Sequence, residues 1–310
     1  MSCFYPMQAL RLSSQTAKGK SVIRFIDRKD LSHRGNPNLL SGLPCGQCIG
    51  CRLERSRQWA IRMMNEADCH FDNCFITLTF DDDALAKRDE PMSLNKREFQ
   101  LFMKRLRKRF SNVRYFMCGE YGDLFKRPHY HAILFGLDFP DKQLHKIKDG
   151  MRYYTSDILH DLWPSGFNVI SDVTFDTCAY VARYIMKKHL GKDAYLQYAG
   201  NLDEVTGEII GHRIPEYTTM SRRSGIGKAW LDKYLQDVFP RDKIFVRGRG
   251  FMKPPKAYDS YYELLDPVDY SRIKQLRIES ALANPKTEQQ LQASQYLKEQ
   301  QISVLKRNLE

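Results

Sequence analysis

The stretch "KRPHYHAILFG", residues 126–136, decides how the chain folds. After Pro128 it reads as a buried strand, yet it places two histidines two residues apart. Alternation along a strand sends His129 and His131 to one face and Tyr130 and Ala132 to the other. Such a pair is either an exposed edge with two surface imidazoles or two nitrogen ligands for one metal ion. The flanking segments decide between them.

On the N-terminal side, "CFITLTF" (74–80) alternates Thr77 and Thr79 against Ile76, Leu78 and Phe80, the pattern of a strand. "NKREFQLFMKRLRKRF" (95–110) has Phe99, Phe102, Leu106 and Phe110 on one helical stripe, with Asn95 and Glu98 spaced as a capping box. "VRYFMCGE" (113–120) is a second strand, joined to "HYHAILF" (129–135) by a short loop. Further on, "TSDILHDLW" (155–163) reads as a short helix and "NVISDV" (168–173) as a strand. "TCAYVARYIMKKHL" (177–190) reads as a helix with Asp176 as N-cap and Gly191 beyond its end. The order β-α-β-β-α-β predicts an α+β fold: an antiparallel sheet of the split β-α-β type, ferredoxin- or RRM-like, with helices on one face.

This core is expected over residues 73–192. Before it, residues 1–72 hold a polar, irregular stretch, then a cysteine-rich motif and a helix from about Cys51 to Ala67. After it, residues 193–310 form a basic region with Gly- and Pro-rich segments and a helical tail from about 270, interrupted by Pro285.

The 49 Lys and Arg against 37 Asp and Glu give a formal charge of +12, which favours an anionic partner, nucleic acid first. No apolar run spans a bilayer, and "MSCFYPMQAL" is not a secretion signal, so no membrane partner is expected. The eight cysteines are therefore expected to be reduced. Cys45, Cys48 and Cys51 form C-x-x-C-x-x-C, and Zn²⁺ would need a fourth ligand. Cys3 is the first candidate and Cys69 the second. Free buried thiols, a redox-labile cluster and an iron–sulfur cluster are the other readings.

Three features carry chemistry. If Glu120 ends one strand and His129 begins the next, the eight-residue loop 121–128 sets them opposite each other on the face that also carries His131. Two imidazoles and a carboxylate with open positions suit a catalytic divalent ion such as Mg²⁺ or Mn²⁺. Tyr180 and Tyr184 lie four apart on their helix, so both hydroxyls project from one side, with Lys187 and Lys188 following close to it. A tyrosine phenol can attack a phosphodiester to leave a 5′-phosphotyrosine and a free 3′-hydroxyl. Only about one phenol in a thousand is ionised at neutral pH, a cost of about 4 kcal/mol that a nearby lysine and a metal can offset. A second tyrosine allows a second transesterification.

These motifs resemble a known family. "RPHYHAILFG" is similar to the His-hydrophobe-His motif of HUH endonucleases, "FITLTF" to their first motif strand, and "YVARYIMKK" to the two-tyrosine motif of rolling-circle replication initiators. Together with "PCGQCIGCRLERSRQWAIRMMNEA" and "GRGFMKPPKAYD", they resemble the replication initiators of gokushovirus-like microviruses, small single-stranded DNA bacteriophages. The histidines precede the tyrosines, as in replication initiators and unlike conjugative relaxases.

The resemblance implies an endonuclease and strand transferase that nicks and rejoins single-stranded DNA at the viral origin. Glu120, His129 and His131 would hold the metal and Tyr180 and Tyr184 would be nucleophiles. Arg183 stands where related initiators carry Lys, which leaves the assisting base open among Arg183, Lys187 and Lys188. The implied location is the host cytoplasm, outside the virion.

Two basic stretches are candidate DNA surfaces. Lys104, Arg105, Arg107, Lys108 and Arg109 belong to a segment (96–114) with eight cations against one acid, Glu98. "SRRSGIGKAW" (221–230) sets Arg222, Arg223 and Lys228 around two glycines, a candidate phosphate cradle before a helix. It is not a Walker A loop, so unwinding is expected from a host helicase and extension from a host polymerase. The rival reading is a non-catalytic single-stranded DNA-binding protein on the same RRM-like scaffold, although the RRM aromatic signature is missing.

Overall fold

A computed structural model describes residues 3–16, 21–27, 30, 32–33, 35–122, 125–183, 198–202, 209–283 and 285–303. The chain divides into two compact units: Met1–Arg55 with Lys274–Arg307, and Ser56–Ile273.

In the first unit, β1 (Met7–Gln15) pairs antiparallel with both β2 (Ser21–Ile26) and β3 (Leu39–Leu43), giving the order β2-β1-β3. The sequence predicted an irregular stretch here. Alternation is hard to see because little of this sheet is covered: β2 and β3 bury no side chain, and Phe25 is 55% exposed. The end of α1 that begins at Ile49 belongs to this unit, and the rest of the helix, to Ala67, to the other. The tail is helical as expected, in two pieces on either side of Pro285: α8 (Pro267–Ala283) and α9 (Glu288–Ser303).

The second unit is built on a seven-stranded antiparallel sheet. Its elements in chain order are β4 (Asn73–Leu78), α2 (Asp82–Ala86), α3 (Lys96–Arg109), β5 (Arg114–Tyr121), β6 (Pro128–Phe135), β7 (Gln143–Lys148), β8 (Met151–Thr155), α4 (Asp157–Leu162), β9 (Asn168–Ser171) and α5 (Phe175–Arg183). Then come β10 (Ala199–Leu202), β11 (Ile209–His212), β12 (Tyr217–Met220), α6 (Lys228–Val238), β13 (Ile244–Val246), β14 (Gly250–Met252) and α7 (Lys256–Leu265). The strand order is β12-β5-β6-β4-β9-β8-β7. Its inner four, β5-β6-β4-β9, have the ferredoxin-like order expected from β-α-β-β-α-β.

β6 lies inside this sheet and is buried at all eight positions. Its even residues, Tyr130, Ala132 and Leu134, join Ile76 and Leu78 of β4 in a core closed by Phe99, Phe102 and Leu106 of α3 and Leu159 and Leu162 of α4. Each such large side chain contributes about 1.5–3 kcal/mol by leaving water. Both helices of the split motif thus share one face, as expected. The opposite face is covered too, by elements from outside the motif: α1, α5, α6 and α7 pack there on Phe75, Phe116, Ile133 and Phe135. The odd positions of β6, with both histidines, point into that second layer.

Two helix starts differ from the predicted ones. The Asn95 side chain accepts from Arg97 N, but Glu98 does not return the bond. Instead Glu98 pairs with Arg88 and accepts from the Tyr130 hydroxyl at 2.6 Å, while the Asn95 N–H donates to that hydroxyl. At α5 the capping exchange runs between Thr174 and Thr177, each N–H donating to the other's hydroxyl, and Asp176 falls in the first turn.

Candidate active site

The site follows from strand register. β5 and β6 pair with Glu120 opposite His129 and Cys118 opposite His131, and β4 brings Thr77 opposite His131 from the other side. Opposed residues share a face, so the carboxylate and both imidazoles meet beneath α5. His129 Nε2 lies 2.6 Å and His131 Nε2 3.0 Å from Glu120 Oε1. The three ligand-type atoms lie within 4.8 Å of one another.

Each ring is oriented through its other nitrogen. His129 Nδ1 donates to the Arg127 carbonyl at 3.2 Å, and His131 Nδ1 pairs with the Thr77 hydroxyl at 2.9 Å. A carbonyl can only accept, so Nε2 of His129 is the nitrogen left to bind a cation, and the Thr77 hydroxyl can accept in the same sense. Phe75 stacks on the His131 ring at 5.6 Å and 17°.

Glu120 is fully buried and its Oε2 has no hydrogen-bond partner. Burial works to raise the carboxyl pKa, but the His131 and His129 imidazoles outweigh it and hold the group down at about 2. A buried, ionised carboxylate with one unsatisfied oxygen beside two oriented imidazoles fits a divalent metal ion.

α5 supplies a phenol to the same place. The Tyr180 ring stands edge-on to His131 at 5.1 Å, and its hydroxyl donates to Glu120 Oε1 at 3.5 Å. The Arg183 guanidinium sits 5.7 Å from the Tyr180 ring centre. The helix is fixed from behind by Cys178 and Val181 in the core and by Ser56 of α1, whose hydroxyl donates to the Ala179 carbonyl.

Glu120, His129, His131, Tyr180 and Arg183 are therefore brought together, and Thr77 with them. Thr79 is not; its hydroxyl donates to the Phe167 carbonyl. Tyr184, Lys187 and Lys188 lie outside the described residues. Cys3, Cys45, Cys48 and Cys51 also converge, in the first unit, whereas the second candidate, Cys69, is an exposed residue of the other unit.

The basic stretches stand apart from the metal-type site. α3 packs on the opposite face of the sheet, so Lys104, Arg105, Arg107, Lys108 and Arg109 do not line it. Arg105 donates to the Leu162 carbonyl and Arg107 to the Val113 carbonyl, tying the helix to its neighbours. The predicted phosphate cradle is a correction, because the protein fills it. Gly227 N at the start of α6 donates to the buried Glu66 carboxylate at 2.6 Å, which takes the place an anion would occupy. Arg114 holds the Arg223 and Ser224 carbonyls, and Lys228 pairs with Asp232, while Arg222 and Arg223 stay exposed.

One surface was not foreseen. In the β13–β14 hairpin Phe245 opposes Phe251, 60% and 74% exposed, with ring centres 5.5 Å apart. Between them in sequence lie Arg247 and Arg249, and Arg249 pairs with Asp176 and covers the Phe175 ring at the start of α5. "FVRGRGF" carries the signal: two aromatics at outward strand positions around a basic glycine turn.

The family model for the phage replication-associated protein ORF2 and its relatives matches residues 73–189, the segment that holds every one of the residues gathered around Glu120. The chain is 33% identical over 234 residues to the replication-associated protein VP4 of Bdellovibrio phage phiMH2K, covering 72% of this chain and 68% of that protein. It is 29% identical over 281 residues to the replication-associated protein ORF2 of Spiroplasma virus 4, covering 85% and 81%. A third relative, replication-associated protein ORF4 of Chlamydia phage 1, is 32% identical over 156 residues, 47% and 38% of the two chains. No solved structure matches.

Proposed function

The chain belongs to the replication-associated proteins of gokushovirus-like phages, and we propose that it starts replication by cutting single-stranded viral DNA at the origin with the Tyr180 phenol. The observation that supports this most directly is the phenol of Tyr180 at hydrogen-bond range of a carboxylate that two histidines also face.

In this reading the Tyr180 oxygen forms a bond to the scissile phosphorus and the bond to the 3′ oxygen breaks. The 5′ phosphate is left on the tyrosine, and the departing 3′ oxygen takes up a proton. A phenolate at Tyr180 would meet the Glu120 carboxylate at 3.5 Å, a repulsion of about 5 kcal/mol at an effective dielectric of 20. Glu120, His129 and His131 would hold Mn²⁺ or Mg²⁺, which when bound supplies positive charge against that carboxylate and polarises a phosphate oxygen. Two imidazole nitrogens favour Mn²⁺ of the two. Arg183 supplies a fixed positive charge beside the ring. Tyr184 is the second nucleophile, which rejoins the circle after one genome length.

The exposed Phe245 and Phe251 rings, with Arg247 and Arg249 between them, supply base stacking and phosphate attraction for a single strand leading to α5. Extension from the freed 3′ end falls to a host polymerase and unwinding to a host helicase.

The test is a denaturing gel after incubation with a single-stranded origin oligonucleotide and Mn²⁺. A protein–DNA band that survives denaturation, and is absent when chelator is present, is the expected result. Reversible binding to the cognate sequence without that band would instead identify a DNA-binding protein.

A further inference from the structure

We propose that Cys3, Cys45, Cys48 and Cys51 form a tetrathiolate site for a single Zn²⁺ ion that holds the first unit together. The sulfurs come from two distant parts of the chain, 42 residues apart between Cys3 and Cys45, and all four lie within 4.8 Å of one another. Cys48 Sγ is 3.9 Å from Cys3 Sγ, and Cys45 Sγ is 4.0 Å from Cys51 Sγ. Four thiolates about 2.3 Å from a central zinc stand about 3.8 Å apart at tetrahedral corners. The spacing therefore has room for one ion at the centre. It is also far longer than a disulfide bond of about 2 Å, and all four cysteines are free.

The backbone is arranged around sulfur as an acceptor. Cys45 N–H points at Cys3 Sγ at 3.3 Å, Cys48 N–H at Cys45 Sγ at 3.3 Å, and Phe4 N–H at Cys48 Sγ at 3.4 Å. Such bonds disperse the negative charge of a thiolate and are weak for a neutral thiol. Gly46 makes the tight turn between Cys45 and Cys48 with φ +76°, a conformation that side chains disfavour.

The first unit also needs such a clamp. Among its described residues, the buried apolar side chains are Ala9, Leu10 and Leu291 besides Cys3 and Cys51. A unit with so small a core requires another source of stability, and a structural metal is one. Ligation would fasten the N-terminal segment to the first turns of α1.

The experiment uses the full chain carrying Glu120→Gln, so that the histidine site does not contribute metal. Elemental analysis should find about one zinc per chain after purification without added metal. Replacement by Co²⁺ should give the visible and charge-transfer absorption of tetrahedral thiolate ligation. Adding Cys69→Ser should leave both signals unchanged. Adding Cys3→Ser should lose the four-thiolate spectrum and expose residues before α1 to protease. If Cys3→Ser does not fold, a thiol-specific mercurial added to the parent chain should release the zinc as four thiols are titrated. Zinc-free protein with four freely alkylated thiols, iron in place of zinc, or zinc lost with Cys69→Ser and kept with Cys3→Ser would each overturn the proposal.

Discussion

The hydroxyl of Tyr180 lies 3.5 Å from Oε1 of Glu120, across 60 residues of sequence, with the His131 ring wedged against both. The strand pair β5–β6 fixes the acid and α5 fixes the phenol, and the two elements meet on the layer that α1 closes. Reactivity at this point depends on charge being balanced within a buried pocket.

Thr77→Val keeps the shape of the side chain and removes the hydroxyl that pairs with His131 Nδ1. Mn²⁺ affinity measured by calorimetry should fall about 10- to 100-fold with the melting temperature of the metal-free protein nearly unchanged. Glu120→Gln should abolish the stabilisation by Mn²⁺, which for the unaltered chain should reach about 2.7 kcal/mol at a hundred times the dissociation constant. Equal stabilisation of both proteins by Mn²⁺ would remove Glu120 from the ligand set.

Gly227→Ala should destabilise the second unit by roughly 2–4 kcal/mol in denaturant titration. The residue has φ +75°, and a Cβ there would stand 2.4 Å from the Tyr258 hydroxyl and 2.8 Å from the Arg62 carbonyl. A loss under about 0.5 kcal/mol would mean that α6 does not approach α1 as described.

Phe245→Ala with Phe251→Ala should weaken binding of a single-stranded oligonucleotide about 10- to 100-fold, while cleavage at saturating DNA keeps its rate. Unchanged affinity would place the strand elsewhere.

The core of the fold was legible because β6 is covered on both faces. Its even residues carry one apolar layer, and its odd residues carry the histidines and then Ile133 and Phe135, so both alternations are written in eight positions. The metal-type triad was legible for the same reason, since hairpin register follows from loop length. β7 was not legible, because all six of its residues are exposed and nothing in "QLHKIK" records a neighbour. The start of α6 misled for a different reason. A glycine-rich helix start looks alike whether it faces a phosphate or a carboxylate, and Glu66 comes from 161 residues away. At α5 the cap moved from Asp176 to Thr174 because both residue types can cap, and only the partner Thr177 distinguishes them.

The central claim is that the Tyr180 oxygen becomes covalently joined to DNA. The most direct measurement is peptide mapping by mass spectrometry after reaction with an origin oligonucleotide and Mn²⁺. The account predicts a 5′-phosphoryl nucleotide on Tyr180, absent under chelation and absent from Tyr180→Phe while that variant still binds the oligonucleotide. Cleaved DNA with an unmodified Tyr180, or an adduct found only on another residue, would contradict it.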